Sequence, residues 1–262
     1  MATEALLRVE EVSVRFGGLL ANDSVDLAVP EGKVVALIGP NGAGKTTLFN
    51  VITGAQRPTR GRVLFAGQDV TGLDRLARAR LGMARTFQNL SLVGSLSAAD
   101  NVAVGFGRFR RAGLVSAMLR LPRSRRQDRS IARLTDACLD FVGMRWARGV
   151  PTASLSYGDR RRLEIARALA LSPSLLLLDE PSAGMDPAET RDLAEVIRRA
   201  AGELALTVLV VEHDMSFVRI VAQETTVLEF GRVIAHGPTA AVLEDERVTA
   251  AYLGSRGAAR AG

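Results

Sequence analysis

Cysteine and long hydrophobic runs are nearly absent from the sequence. Cys138 is the one cysteine among 262 residues, so the chain cannot form an internal disulfide, and a reducing compartment fits it. The N-terminal residues lack the cationic start and apolar stretch of a secretory signal. No apolar run approaches the roughly 20 residues that a helix needs to cross a bilayer. We therefore expect another chain to span any membrane that this protein serves.

Aromatic residues and lysines are also scarce. Aromatics make up 5% of the chain, so the core must consist mainly of leucine, valine, alanine and isoleucine. The apolar content of 47% and the charged content of 24% are ordinary for a soluble globular protein. Lys33 and Lys45 are the two lysines, and every other basic residue is arginine. The lysine in the glycine-rich loop described below therefore stands out from its background.

The positive charge is local. The formal net charge is +6, and residues 105–130 alone carry eight arginines and one acid. One interpretation is a short amphipathic helix that meets anionic lipid headgroups, which attract arginines near a membrane. The alternative is a solvated insertion.

Apolar runs alternate with helix-like segments along the chain. Val34–Ile38 and Leu175–Leu178 are continuous apolar runs, which predict strands buried on both faces. Such alternation predicts an α/β fold with a mostly parallel sheet covered on both sides. Further strands are predicted at Leu6–Phe16, Ser24–Val29, Arg62–Phe65, Thr207–Val211 and Thr225–Phe230, and helices at Thr46–Gly54, Arg160–Leu171, Ala188–Ala201 and much of 92–155.

A glycine-rich loop, Gly39–Thr46, follows the first buried strand and precedes a predicted helix. It matches the P-loop pattern, in which glycines let successive N–H groups point at phosphate oxygens. The start of the helix adds partial positive charge. We expect Lys45 to reach the β- and γ-phosphates of a nucleoside triphosphate and Thr46 to hold Mg²⁺. The alternative is a glycine turn that only caps a helix.

Two acids, Asp179 and Glu180, end the second buried strand. In a P-loop protein, Asp179 would act on Mg²⁺ through a water, and Glu180 would be the general base for the attacking water. Alone this pattern is weak, because a strand that runs into solvent often ends in acids.

The segment Leu155–Asp159 precedes an amphipathic helix. Ser156 is a natural N-cap, and Gly158 with the helix start could form a second anion site. By itself the segment is better explained as an ordinary capped surface helix.

Together these motifs resemble the nucleotide-binding domain of the ABC ATPase family, and the resemblance covers nearly the whole chain. Residues 39–46 resemble Walker A, 175–180 resemble Walker B, and 155–159 resemble the ABC signature. Other positions resemble the Q-loop glutamine (Gln88), the D-loop aspartate (Asp186), the switch histidine (His213) and the aromatic that stacks on adenine (Phe16). Their plain alternatives are a solvated amide, a helix start, a strand-end histidine and a core phenylalanine.

One subfamily is resembled in particular. Tyr157 stands where the ABC signature usually has glycine, and this variant resembles the first ATP-binding subunit of bacterial branched-chain amino acid importers. Arg15–Gly18, Arg85–Asn89, the segment 105–130 and Tyr252–Gly254 resemble it too. Related urea and short-chain amide importers share much of this pattern.

The resemblance implies a P-loop NTPase fold: a RecA-like, mostly parallel sheet with an antiparallel β subdomain and an α-helical signature subdomain. A single nucleotide-binding domain would span 1–262. Its ATPase core and β subdomain would occupy about 1–91 and 156–240, its helical subdomain about 92–155, and a C-terminal helix and tail 241–262.

The resemblance also implies ATP and Mg²⁺ as cofactors of an ATP hydrolase. Glu180, His213 and Gln88 would be catalytic, and Thr46, Gln88 and Asp179 would hold the metal. The residues expected to contact ATP are Phe16, Gly39, Pro40, Asn41, Gly42, Ala43, Gly44, Lys45, Thr46, Thr47, Ser156, Tyr157, Gly158, Asp159 and Asp186.

The implied partners are a second ABC ATPase subunit in a head-to-tail dimer, expected to be a heterodimer, and two transmembrane permease subunits. A periplasmic-type solute-binding protein would act indirectly, and no nucleic acid is expected. The chain would lie in the cytoplasm on the inner face of the cell membrane. Alternatives are the ATPase of a urea or amide importer, that of a lipid or lipopolysaccharide exporter, a soluble ABC ATPase acting on nucleic acid, and a non-hydrolysing P-loop module.

Overall fold

The computed structural model describes residues 5–86, 92–109 and 122–258, which form two compact units. Of these described residues, those within 1–85, 174–183 and 190–262 form the first unit, and those within 86–173 and 184–189 form the second.

The strands of the first unit form two sheets. One sheet is antiparallel, in the order β2-β1-β4-β5, and the other has the order β10-β9-β3-β8-β7-β6. The strands are β1 (Ala5–Phe16), β2 (Leu19–Pro30), β3 (Val34–Ile38), β4 (Arg60–Phe65), β5 (Gln68–Asp69), β6 (Met83–Arg85), β7 (Leu175–Asp179), β8 (Thr207–Val211), β9 (Glu224–Glu229) and β10 (Arg232–Pro238).

The six-stranded sheet is parallel except for β10, which confirms the predicted α/β fold. Every residue of β3, β7 and β8 is buried, as expected for continuous apolar strands at the centre of a parallel sheet. Val211 at the end of β8 pairs with Leu37 of β3 and with Asp179 of β7. The loops that follow these three strands therefore leave the sheet at one edge.

The helices connect the strands of the first unit and make up most of the second. They are α1 (Lys45–Ile52), α2 (Arg75–Leu81), α3 (Ala98–Gly105), α4 (Pro122–Phe141), α5 (Tyr157–Leu169), α6 (Pro187–Leu204), α7 (Met215–Val221), α8 (Thr239–Glu244) and α9 (Glu246–Ala258). Among the residues of the described ranges, no helix combines the length and apolar character needed to cross a membrane.

A buried arginine fixes the end of α1. Arg78 of α2 is 1% exposed. Its Nη1 donates to the carbonyl oxygens of Val51 and Ile52 at 2.7 and 2.6 Å, and its Nε and Nη2 donate to those of Leu73 and Thr71 at 3.1 and 3.2 Å. The guanidinium thus supplies donors to the last carbonyls of α1, which have no partner within the helix itself.

In the second unit, α3, α4 and α5 pack against one another. Buried Asn101 of α3 donates to Thr152 Oγ1 at 2.8 Å, which ties this helix to the segment before α5. Because of its contacts α5 belongs to this unit, whereas the family resemblance implies that residues from 156 onward belong to the ATPase core. The only tryptophan of the sequence, Trp146, also lies in this unit and is 63% exposed.

Candidate nucleotide site

The glycine-rich loop lies directly after β3, at the edge where the parallel strands end. Gly39 and Gly44 have φ angles of 149° and 96°. A Cβ atom at Gly39 would collide with the carbonyl oxygen of Leu228, and one at Gly44 with that of Ala21. Both positions therefore require glycine, because the loop backbone lies against two neighbouring strands.

Lys45 is the first residue of α1 and is buried. Its Nζ donates to the carbonyl oxygens of Gly39 and Pro40 at 2.6 and 2.9 Å, so the ammonium lies over its own loop. Burial lowers the pKa of Lys45, and the nearby Glu180 and Asp179 oppose that shift. The loop thus concentrates one cation and several backbone N–H groups at a helix start, which is a site for anions.

A cavity of about 600 Å³ opens above this loop. Phe16 is half exposed and Phe230 is 85% exposed, so two aromatic rings are available at the cavity. The lining residues are Phe16, Leu19, Leu20, Ala21, Asn41, Gly42, Ala43, Gly44, Lys45, Thr46, Thr47, Glu180 and Phe230.

Phe230 is not among the site residues that the sequence predicts. It lies in the turn between β9 and β10 with φ of 45°, a left-handed conformation that is uncommon for a bulky residue. The following Gly231 donates its N–H to Ala43 O at 3.0 Å and accepts from the N–H of Asp23 at 2.9 Å. These bonds hold the turn against the P-loop, so the phenyl ring stays at the cavity.

Asp179 is buried at the end of β7 and forms an ion pair with Arg85 of β6. Arg85 Nη2 lies 3.1 Å from Asp179 Oδ2, and the guanidinium lies 4.8 Å from the centroid of the Phe49 ring. Burial raises the pKa of Asp179, and Arg85 acts in the opposite direction. In the described part of the chain, the buried Asp179 Oδ1 has no hydrogen-bond partner. That oxygen can accept a further ligand, such as a metal-bound water.

Glu180 and His213 lie side by side at the same edge. Glu180 Oε1 is 3.8 Å from His213 Nδ1, and both side chains are partly exposed. Glu180 has φ of 47° and donates its N–H to Val211 O at 2.9 Å. The acid and the histidine therefore face solvent from adjacent loops, and Glu180 also lines the cavity.

The predicted signature residues lie in the second unit, at the start of α5. Ser156 is the N-cap and accepts from the N–H of Asp159 at 3.1 Å. Tyr157 Oη accepts from Arg161 Nη2 at 2.6 Å, so the ring is held against its own helix. A Cβ atom at Gly158 would collide with the carboxylate of Glu189. Ser156 and Tyr157 thus have local structural roles at the start of this helix.

Asp186 and Gln88 are the remaining predicted site residues. Asp186 caps α6, because its Oδ1 accepts from the N–H groups of Ala188 and Glu189 at 2.7 and 2.9 Å. Gln88 lies outside the described residues, as do the apolar residues of the proposed amphipathic helix between 110 and 121. Their expected roles stay predictions.

Two family models match this chain. One, described as ABC transporter, matches residues 22–183. The other, described as branched-chain amino acid ATP-binding cassette transporter, matches residues 232–258, which include β10, α8 and α9.

Similar proteins carry related descriptions. The chain is 39% identical over 249 residues to the high-affinity branched-chain amino acid transport ATP-binding protein BraF of Pseudomonas aeruginosa, covering 95% of this chain and 98% of that protein. It is 38% identical over 252 residues to the equivalent protein LivG of Escherichia coli K12, covering 96% and 99%. A crystal structure of an ATP-binding cassette of an ABC transporter in its ADP conformation superimposes with a TM-score of 0.83 at 28% identity, covering 96% of this chain and 100% of that one.

Proposed function

Because the chain belongs to the ABC transporter family and is an ATP hydrolase of that type, we propose that it energises the import of branched-chain amino acids through separate permease subunits. The observation that most favours this substrate class is the family model at residues 232–258, because it describes branched-chain amino acid transporters in particular. The names of BraF and LivG support the same class.

The nucleotide would be held by the cavity above the P-loop. Its phosphates would replace the loop carbonyls as partners of Lys45, and its base would stack on Phe16, with Phe230 as a second ring. Thr46, Asp179 and Gln88 would hold Mg²⁺, which neutralises charge on the phosphates. Within the described ranges the buried Asp179 Oδ1 has no hydrogen-bond partner, and this supports the assignment because a buried oxygen needs a donor such as a metal-bound water.

Glu180 would orient and deprotonate the water that attacks the γ-phosphate. His213, 3.8 Å away, would contact the same phosphate and help to hold Glu180 in place. Gln88 would complete the group of catalytic side chains. Lys45 would remain on the phosphates throughout, so each residue has a distinct task in one hydrolysis step.

The site would be completed by a second ATPase subunit. Each chain carries one P-loop and one signature segment, so a head-to-tail dimer would pair the Lys45 loop of one chain with residues 155–159 and Asp186 of the other. We propose a heterodimer that binds two permease subunits on the cytoplasmic face of the membrane and serves a solute-binding protein outside. ATP would stabilise the closed dimer because it contacts both partners.

A substitution of Glu180 by glutamine tests the catalytic assignment. The variant should bind ATP as the wild type does, hydrolyse it at least about 100-fold more slowly, and accumulate as an ATP-bound dimer. Nucleotide affinity, phosphate release and light scattering after gel filtration measure the three properties. Glu246→Gln, an exposed change at the start of α9, is the matched control. Unchanged phosphate release by the Glu180 variant would remove the general base from the proposal.

The substrate class needs a separate test in cells. Cells that lack this gene should lose uptake of labelled leucine, and the wild-type gene should restore it whereas a Lys45→Ala version should not. Loss of urea or acetamide uptake with normal leucine uptake would identify a urea or amide importer instead.

A further inference from the structure

Glu212 is a fully buried carboxyl group next to the candidate catalytic residues. It follows β8 and accepts four hydrogen bonds. Its Oε1 accepts from the N–H and the hydroxyl of Ser182 at 2.9 and 2.6 Å, and its Oε2 accepts from the N–H groups of His213 and Asp214 at 2.9 and 3.2 Å. Glu212 therefore joins the loop after β7 to the loop after β8.

These two loops carry the acid and the histidine of the proposed site. Ser182 is two residues beyond Glu180, and His213 immediately follows Glu212. The Glu180 backbone is in a left-handed conformation, which persists only where the surroundings hold it. The bond from the Glu180 N–H to Val211 O and the bonds from Ser182 to Glu212 provide that restraint on both sides of Pro181.

Only a carboxylate satisfies this arrangement. Each oxygen of Glu212 faces two donors, so both must be acceptors. Glutamine has the same size but offers one oxygen and one NH₂ group, and the NH₂ would meet N–H groups wherever it was placed. The four donors around position 212 therefore favour glutamate over glutamine, although the two side chains have nearly the same volume.

We infer that Glu212 is a positioning residue for ATP hydrolysis, which holds Glu180 and His213 at their separation of 3.8 Å by fixing both loops. It does not line the nucleotide cavity, so its effect passes through these two residues. The inference rests on the proposed function, because it assigns a means of alignment to the same site.

The two histidines of the chain allow a direct test that needs no nucleotide. In NMR spectra of the full chain, Glu212→Gln should move the imidazole signals of His213 and leave those of His236 in place. His236 is a suitable reference because its Nδ1 is bonded to Thr226 Oγ1 at 2.9 Å, away from Glu212. A His236→Gln variant assigns the signals. Unmoved His213 signals would overturn the inference.

Kinetics provide the second test. Glu212→Gln should lower kcat for ATP at least about tenfold while KM changes less than about twofold, because misalignment affects the reaction more than binding. Ser182→Ala, which removes one donor and keeps the carboxylate, should have a smaller effect in the same direction. In the double variant with His213→Ala, the loss should be less than the product of the single losses, since both act on one alignment.

The outcomes separate this inference from the proposed function. Hydrolysis by the wild type with an unchanged kcat in Glu212→Gln, or fully multiplicative losses in the double variant, would contradict the role of Glu212. No hydrolysis by the wild type under any condition would contradict the proposed function, and the NMR result would still test the contact between Glu212 and His213.

Discussion

At the scale of single residues, Arg85 links three parts of the first unit. It pairs with Asp179 of β7, lies over the Phe49 ring of α1, and donates from Nη1 to Asn50 Oδ1 at 3.2 Å. Burial lowers the pKa of Arg85 and raises that of Asp179, and the attraction between the two groups opposes both shifts. Removing one partner of such a pair leaves an uncompensated charge in the interior.

Replacing Arg85 by methionine should therefore lower the free energy of unfolding by about 3 kcal/mol or more. Urea unfolding of the full chain measures this change. Arg199→Met, which removes an exposed pair with Glu203, should cost less than about 1 kcal/mol and is the control. Adding Asp179→Asn to Arg85→Met should recover part of the loss. If the double variant is less stable than Arg85→Met, the buried charge is not the cause.

At the scale of elements, α1 is restrained at both ends. Asn22 Nδ2 donates to Gly44 O at 3.2 Å where the helix begins, and Arg78 binds the carbonyls where it ends. A cation at the C-terminal end also interacts favourably with the partial negative charge that the helix dipole places there. The element that presents Lys45 is thus held by two side chains that lie outside the glycine-rich loop.

Arg78→Met should remove the side-chain donor from the carbonyl of Ile52 and one of the donors from that of Val51, which also accepts from the Gly54 N–H, and cost about 3 kcal/mol of unfolding free energy. We also expect weaker ATP binding, because the start of α1 forms the phosphate site. Thermal unfolding and nucleotide titration measure the two effects. Arg80→Met removes an exposed arginine from the same helix and should change neither. Equal effects of the two substitutions would contradict the role given to Arg78.

Elements that are fixed by local pattern were predictable from the sequence. The boundaries of β3 and β8 match the prediction to the residue, because a short run that is apolar throughout, or apolar after one threonine as in β8, has one stable place in a covered parallel sheet. The strand β6 was not predicted, since Met83–Arg85 is too short to show a period. For β2 the prediction covered only the half from Ser24, because Leu19–Asp23 lacks clear alternation.

The residues of the site also fall into those that local sequence predicts and those that only the fold brings together. Its P-loop is local in sequence, so it could be found from spacing alone. Pairs such as Arg85 with Asp179, 94 residues apart, and Glu212 with Ser182, 30 residues apart, depend on strand order in the sheet. Phe230 reaches the cavity because β9 lies beside β3, and no sequence pattern indicates that neighbour.

At the scale of the whole molecule, one chain offers half of each proposed site. If ATP is hydrolysed between two chains, the rate per chain should rise with chain concentration. A mixture of Lys45→Ala and Ser156→Arg chains should recover activity that neither variant has alone, because one of its two sites combines an intact P-loop with an intact signature. Phosphate release measures both effects. A constant rate per chain and an inactive mixture would contradict a head-to-tail dimer of this chain with itself.

The exposed Trp146 has a practical consequence for studying the chain. Tryptophan fluorescence of this protein comes from a single indole that already contacts water, so its emission should change little when the protein unfolds. A shift to shorter wavelength would instead report that another surface has covered this part of the second unit. The native sequence therefore contains its own optical probe for the arrival of a partner, with no label required.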